Sequence, residues 1–372
     1  MSAAPQRSGY DALVIGAGLV GLACAWRAAQ RGLSVLVIDR DGPAAGASSA
    51  AAGMLAPVTE ADFGAEALLH LNLASAELWP AFADELGAEL HYVRRGALVV
   101  AADRDDAEEL RRLHAFQRQL GLDADWLTPS ECRRLEPGLS PRCGGGILAP
   151  QDHHVDPLAV VSALVAACER AGAELLTGDA VVAVDERGVR TASGRSIAAA
   201  NVVVAAGCWS GRGIEGLPAV PVRPVKGQIL SLRRPLDRPL AAHLVRTLRC
   251  YIVDRGDGRV VLGATMEERG FDTSVTADGV YRLLEAAWEV LPEISELEFA
   301  GARGGLRPGS PDNSPLIGRG EQGNVIWATG HFRNGVLLTP ITAGAVADML
   351  TGAEPPAAVA PFSPARFSAV AA

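Results

Sequence analysis

Apolar residues run unbroken from Ala12 to Ile15, give way to a glycine cluster, return at helical spacing through LACAWRAAQR, stop at Gly32 and run again through VLVI to Asp39. That order predicts a buried strand, a tight turn, a helix and a second buried strand. The next stretch, GPAAGASSAAAGMLAP, is made of small residues with neither alternation nor a helical stripe. It predicts irregular backbone that can approach a ligand closely, and Met54, Leu55 and Pro57 make it poor material for a flexible linker.

Helical spacing resumes from Ala65 to Leu86, with Leu68, Leu71, Leu78 and Phe82 among the apolar positions. LHYVRRGALVVAAD then alternates as a hairpin turning near Arg95 and Gly96, followed by a charged helix from Asp105 to Leu120, a short helix from Ser130 to Pro137 and a strand in GGGILAP. A helix from Pro157 to Ala171, with Asp156 as its N-cap, leads to the strand AELLTG. A meander follows, with turns at Glu186–Gly188 and Ser193–Gly194, and then the buried strand NVVVAAG. This is how a nucleotide-binding sheet resumes after an insertion, so the first domain is expected to be discontinuous.

A second β-rich region begins at Val220. It holds the strand VRPVKGQILSL, a hairpin in CYIVDRGDGRVVLGATM turning at Gly256–Gly258, a helix from Thr276 to Leu291 and the strand ELEFAGARGGL. The first sheet then regains NVIWATG, a glycine-flanked loop GHFRNG and a helix from Val336 to Leu350. The Pro- and Ala-rich tail from Glu354 and the polar lead MSAAPQRSGY are expected to be poorly ordered. The lead lacks the apolar run of a signal peptide.

The first βαβ unit carries the sharpest chemistry. Gly16, Gly18 and Gly21 stand in GxGxxG spacing, with Asp39 at the tip of the second strand. Such a turn presents helix N-terminal N–H groups to a pyrophosphate, and the carboxylate accepts hydrogen bonds from a ribose. Ser48 and Ser49 could add hydroxyls to the same ligand. The balance of 34 Lys+Arg against 43 Asp+Glu, a net −9 over 372 residues, disfavours nucleic acid and anionic membrane surfaces and points to a small-molecule partner. No stretch is apolar enough for a membrane span. Six scattered cysteines without CxxC spacing fit reduced core thiols, and a cytoplasmic protein is expected. Neighbouring His153 and His154 lack further ligands at metal spacing, so no metal site is expected.

GAGLVG with Asp39, ASSAAAGMLAP, NVVVAAGCW, GLRPGSPDNSPLIG and GHFRNGVLLTP, in that order, resemble the FAD-dependent D-amino acid oxidase (DAO) family. CYIV, GATM and GHFRNG are most similar to its glycine oxidases of thiamine biosynthesis. The resemblance implies an α/β protein with a discontinuous Rossmann-like FAD-binding domain (1–60, 150–211 and 305–372) and a second, β-rich α+β substrate-binding domain (61–149 and 212–304). It implies oxidative deamination of glycine, with sarcosine and small D-amino acids as slower substrates, by hydride transfer to flavin with O2 as acceptor. The products would be an imine and then glyoxylate, ammonia and hydrogen peroxide. The resemblance also implies a homo-oligomer, tetramer or dimer.

Carried over residue by residue, the resemblance assigns the substrate carboxylate to Arg307 and Tyr251, the pocket wall to Met266, and a place beside flavin and substrate to Arg333. FAD contacts are assigned to Gly16, Ala17, Gly18, Leu19, Val20, Gly21, Asp39, Arg40, Ser48, Ser49, Ala52, Gly53, Met54, Val181, Arg333, Asn334, Gly335 and Val336. Gly335 is expected to open the last helix toward the flavin. Arg249 replaces a histidine found in some glycine oxidases and could favour a larger or more acidic substrate. No cysteine follows Cys250, so the FAD is expected to be dissociable. A quinone-linked D-amino acid dehydrogenase, a sarcosine or N-alkyl glycine oxidase and a non-catalytic flavin redox sensor share these features.

Overall fold

The computed structural model describes residues 7–370. Its first sheet has the strand order Leu316–Arg319, Val325–Thr329, Ser196–Val204, Gly9–Ile15 (β1), Val35–Asp39 (β2) and Glu174–Thr177. From Val325–Thr329 to Glu174–Thr177 these strands pair parallel, with Val14 beside both Val37 and Val203, so both faces must be covered and the strands read as apolar runs. Ala12 and Val14 face the helices Leu19–Gln30 (α1), Pro157–Arg170 and Thr339–Thr351. Leu13 and Ile15 face a second cluster with Val181, Val184 and Val189 of the meander.

The second sheet runs Glu298–Gly309, Arg223–Arg233, Arg259–Gly263, Tyr251–Asp254, Leu244–Arg246, Ala97–Val100, Gly146–Ala149 and Asp125–Leu127. The helix Ala277–Val290 seals one face of it with Leu283, Ala287 and Val290. The long hydrogen-bonded pair Arg223–Arg233 with Glu298–Gly309 carries its ladder toward the first sheet, where Gly309 bridges His331.

Four expectations are corrected. No hairpin forms near Gly96: Val93 bridges His154, while Ala97–Val100 pairs with Gly146–Ala149 and, in parallel, with Leu244–Arg246. Alternation marks a half-buried strand but cannot say whether its partner is adjacent or 150 residues away. The end of the meander and the buried strand are one strand, Ser196–Val204, whose first half pairs antiparallel with Gly188–Arg190 and whose second half pairs parallel with Val325–Trp327. The last helix begins at Thr339, after a turn at 335–338. The C-terminal segment packs as 3-10 turns, Ala357–Phe362 and Pro364–Val370, because Val359 and Phe362 are apolar anchors, 2 % and 3 % exposed, among prolines that fix the backbone. The expected fraying of the lead falls mostly on residues 1–6, outside the described residues.

The helix Glu66–Leu86 (α2) packs on the first core through Leu71, Trp79, Phe82 and Leu86, although the sequence places its segment, 61–149, in the substrate-binding domain. Trp79 is fully buried, and its Nε1 donates to the Leu337 carbonyl at 2.9 Å, which Ser75 Oγ also reaches at 2.6 Å. Trp79 therefore anchors the turn that follows GHFRNG. Trp79→Ala is expected to cost about 3–5 kcal/mol, combining a large cavity with an indole hydrogen bond lost. A urea midpoint within error of wild type would refute that anchoring role.

Candidate active site

The glycine turn has three different reasons for its three glycines. Gly16 sits at φ +109°, and a Cβ there would lie 2.5 Å from the Ala205 carbonyl oxygen. A Cβ on Gly21 would meet the Gly16 carbonyl oxygen at 2.0 Å, so its absence lets α1 press on the turn. Gly18 is extended, at φ −77°, and a Cβ there would meet only Ser48 Oγ, at 3.3 Å. Its bare backbone faces open cavity. α1 has no acidic residue in its first turn, which leaves its positive end free for an anion.

Asp39 ties this turn together. One carboxylate oxygen accepts from Ala17 N at 2.7 Å, and the other from Asp41 N at 2.8 Å and Gly42 N at 2.9 Å. The residue also lines the cavity, where lone pairs beyond these bonds serve a ligand. Arg40 beside it stacks over Trp209, 3.9 Å from the ring centroid. Ser48 Oγ accepts from Leu19 N at 3.1 Å. This cradle, with its close glycines, open helix end and carboxylate, fits a dinucleotide.

A cavity of about 560 Å³ runs from the cradle to the second sheet. Gly16, Gly18, Leu19, Val20, Asp39, Arg40, Ser48 and Val181 line the part beside the cradle, and Ala52, Gly53 and Met54 continue the wall. Tyr251, Met266, Arg307, Arg333, Gly335 and Val336 line the far part. Four expected contacts are not on its wall. Ala17 turns its N–H to Asp39, Gly21 is packed under Gly16, Ser49 Oγ donates to Gly46 O at 3.0 Å, and the Asn334 carbonyl accepts from Leu338 N at 2.8 Å. The late start of the last helix likewise leaves Gly335 in a turn, so no helix N-terminus opens there.

At the far end two interior strand glycines make a floor. A Cβ on Gly263 would lie 2.3 Å from Tyr251 Oη, and one on Gly227 2.3 Å from Arg307 Nη1. Both side chains lie flat over backbone that only glycine leaves clear. Arg307 Nη1 donates to the carbonyls of Thr265 at 3.0 Å and Lys226 at 3.3 Å. Among the described residues no carboxylate forms an ion pair with it. Desolvation pulls its pKa below the ordinary arginine value, and Tyr251 opposes the shift. Desolvation likewise raises the Tyr251 pKa, against the pull of Arg307, so the phenol keeps its proton at neutral pH.

Arg333 is not free. It pairs with Glu60, whose other oxygen lies 2.5 Å from Arg246 Nη2. Burial pushes the Glu60 pKa up, but Arg246 and then Arg333 outweigh it and hold the carboxyl below its ordinary range. Met266 is 62 % exposed at the mouth, and Arg249 beside it pairs with Glu289. Behind the Ala52–Gly53 loop the buried Arg255 donates to the carbonyls of Ala52 and Val155, tying the second sheet to the cofactor side. Glu60, Arg246, Arg255 and Trp209 escaped sequence reading. Glu60 and Arg246 stand in TEADF and LVRTLRC, which carry no motif; Arg255 stands at a hairpin turn and Trp209 ends the family stretch NVVVAAGCW, but neither pattern assigns the side chain a role. Gly227 and Gly263 did have a signal, being glycines inside strand patterns.

No helix of the described residues is long and apolar enough to cross a membrane, and no three His, Cys, Asp or Glu side chains converge there on a metal position. All six cysteines are free and buried.

The profile of the family described as FAD dependent oxidoreductase (DAO) matches residues 11–349. The chain is 35 % identical over 368 residues to glycine oxidase from Geobacillus kaustophilus, spanning 96 % of this chain and 97 % of that protein. It is 35 % identical over 370 residues to the bifunctional protein ThiO/ThiG from Trichormus variabilis, spanning 96 % of this chain and 55 % of that longer protein. The fold matches the crystal structure of glycine oxidase from Geobacillus kaustophilus with a TM-score of 0.90 and 34 % identity, over 96 % of this chain and 98 % of that one. The dinucleotide cradle, the cavity joining it to Arg307 and these matches together show that the chain belongs to the DAO family of FAD-dependent oxidoreductases, with FAD as its cofactor.

Proposed function

We propose that this enzyme oxidises glycine, and more slowly sarcosine and small D-amino acids, with O2 as electron acceptor. The observation that carries the reading is Arg307, a desolvated cation without a carboxylate partner, at the far end of the cavity that begins at the glycine turn. A planar guanidinium binds both oxygens of a substrate carboxylate at once. Tyr251, holding its proton, donates a further hydrogen bond to the same group. Two anchors on strands fix the α-carbon.

When bound, FAD supplies the redox chemistry that these side chains lack, accepting the α-hydrogen with its two electrons and passing the electrons to O2. The organic product is an imine, which water converts to glyoxylate and ammonia, with hydrogen peroxide as the second product. No general base is required at the reacting carbon, which accords with a wall whose one nearby carboxylate, Glu60, is held by two arginines. We place the reaction in thiamine biosynthesis, on the resemblance of CYIV, GATM and GHFRNG and the similarity to ThiO/ThiG.

The test is the visible spectrum of the FAD-loaded protein without air, before and after glycine, sarcosine, D-alanine and D-proline. Glycine is expected to bleach the flavin band fastest, and air is then expected to return the colour with peroxide. If none of the four bleached the flavin, the reading would fall; bleaching without peroxide in air would point to a dehydrogenase.

A further inference from the structure

One buried charge plays no part in the chemistry above. Lys226, its side chain 1 % exposed, stands next to Gly227 in Arg223–Arg233 and points to the face of the sheet opposite the one where Gly227 clears the floor under Arg307. An ammonium is buried only at a cost unless it is paired. Its Nζ donates to Asp272 Oδ2 at 2.7 Å and to Ser274 Oγ at 3.4 Å, and Glu267 supplies a second counter-charge at 3.9 Å. All three partners belong to the connection 264–276, between Arg259–Gly263 and the helix Ala277–Val290.

That connection reaches both ends of the cavity. At the substrate end Ala264, Thr265 and Met266 line the wall, and the Thr265 carbonyl accepts from Arg307. The Lys226 carbonyl accepts from Glu267 N as well as from Arg307, and Glu267 Oε1 accepts from Thr265 Oγ1 at 2.6 Å. At the cofactor end Phe271 lies against Trp209, with ring centroids 5.6 Å apart, and Trp209 in turn carries Arg40 on the cavity wall. Between the two ends the connection crosses Glu298–Gly309. A Cβ on Gly304 would lie 2.3 Å from the Thr273 carbonyl oxygen, so this strand glycine also clears a path for backbone. Another ion pair of the segment, Arg223 with Glu268, is solvent-exposed on both sides and adds little.

We infer that Lys226 is a positioning residue: by gripping Asp272 it holds 264–276 as a strap across the back of the floor, so that one ion pair governs both the retention of FAD and the seating of Arg307. The first effect is independent of the substrate. The second rests on the reading of Arg307 as the carboxylate anchor.

Asp272→Asn tests the grip directly, because Lys226 keeps Glu267 as a counter-charge and an asparagine still offers an oxygen to Ser274 N. Flavin release is followed as the fluorescence of free FAD after dilution of the FAD-loaded protein, without substrate. Asp272→Asn is expected to release flavin about tenfold faster, the scale of one charge-assisted hydrogen bond lost. Phe271→Ala should speed release from the other side of the strap, and the double variant should be no faster than the faster single, because both act through one element. Glu268→Gln, which removes a charge from the strap but leaves the grip, is expected to release flavin as wild type does. In steady state, with FAD in excess, KM for glycine should rise about threefold or more in Asp272→Asn, with kcat changed less. Wild-type release in Asp272→Asn or in Phe271→Ala, or release in Glu268→Gln as fast as in Asp272→Asn, would overturn the strap. Faster release with KM unmoved would overturn the seating of Arg307. A protein that oxidises none of the amines still yields the release rates, so this inference and the proposed function fail separately. Phe271 and Glu268 are exposed, and their variants keep the test decisive should Asp272→Asn not fold.

Discussion

Replacing Gly18 by valine is expected to give a folded protein that purifies without flavin. Gly18 is extended at φ −77°, a conformation open to any residue, and its added Cβ would meet only the hydroxyl of Ser48, at 3.3 Å. The fold therefore loses little: roughly 1 kcal/mol for a β-branched residue at a helix N-cap. The branched carbons would project into the space where the backbone must approach a pyrophosphate. Loss of FAD affinity by a factor of at least about one hundred is expected, since both the close approach and the helix-end N–H contacts are blocked.

The neighbouring glycines supply the contrast. Gly16→Val and Gly21→Val would each drive a Cβ into a backbone carbonyl, at 2.5 and 2.0 Å, and are expected to disrupt the βαβ unit itself. Flavin content, read as the ratio of visible to ultraviolet absorbance, and the melting temperature together separate the two cases. Gly18→Val should melt near flavin-stripped wild type, because both lack ligand stabilisation. Full flavin content in Gly18→Val would remove the glycine turn from the cofactor site.

What could be read from the sequence follows from how far each signal reaches along the chain. The turn from Gly16 to Gly21 and Asp39 was legible because strand, turn, helix and carboxylate lie within thirty residues and each has a local cause. Arg307, Tyr251 and Met266 were assigned through family likeness, and the structure brings them to one wall. Glu60 and Arg246 were not legible. Their pairing at 2.5 Å spans the two regions of the chain, and nothing in TEADF or LVRTLRC distinguishes them from surface charges.

The misread elements have the same origin. Ala97–Val100 finds its partners at Gly146–Ala149 and Leu244–Arg246, beyond any local pattern. In the last helix, apolar Val336, Leu337 and Leu338 carry helical spacing but bend in a turn, because the Leu337 carbonyl is taken by Ser75 and Trp79 of α2. Tertiary hydrogen bonds decided that boundary, and propensity alone could not.

Arg307→Ala is expected to lower kcat/KM for the amine substrate by a factor of about one hundred to several thousand, or roughly 3–5 kcal/mol, the range for removing one partner of a desolvated charged pair. The flavin spectrum and flavin content should stay as in wild type, because Arg307 is held through Nη1 by Thr265 O and Lys226 O, away from the glycine cradle, with Nη2 and Nε left for the substrate. Most of the loss should appear in KM, with kcat falling as well once the α-carbon is no longer held in line. Arg307→Lys should recover only part of it: the ammonium keeps the charge but not the planar fork lying over Gly227. Tyr251→Phe, which removes a neutral donor beside the same anion, should cost about tenfold. Steady-state kinetics on the three variants, each normalised to bound flavin, decide the matter. If Arg307→Ala saturated with substrate as wild type does, the anchoring role would be lost, and with it the reason that the cavity ends in an arginine without a carboxylate partner.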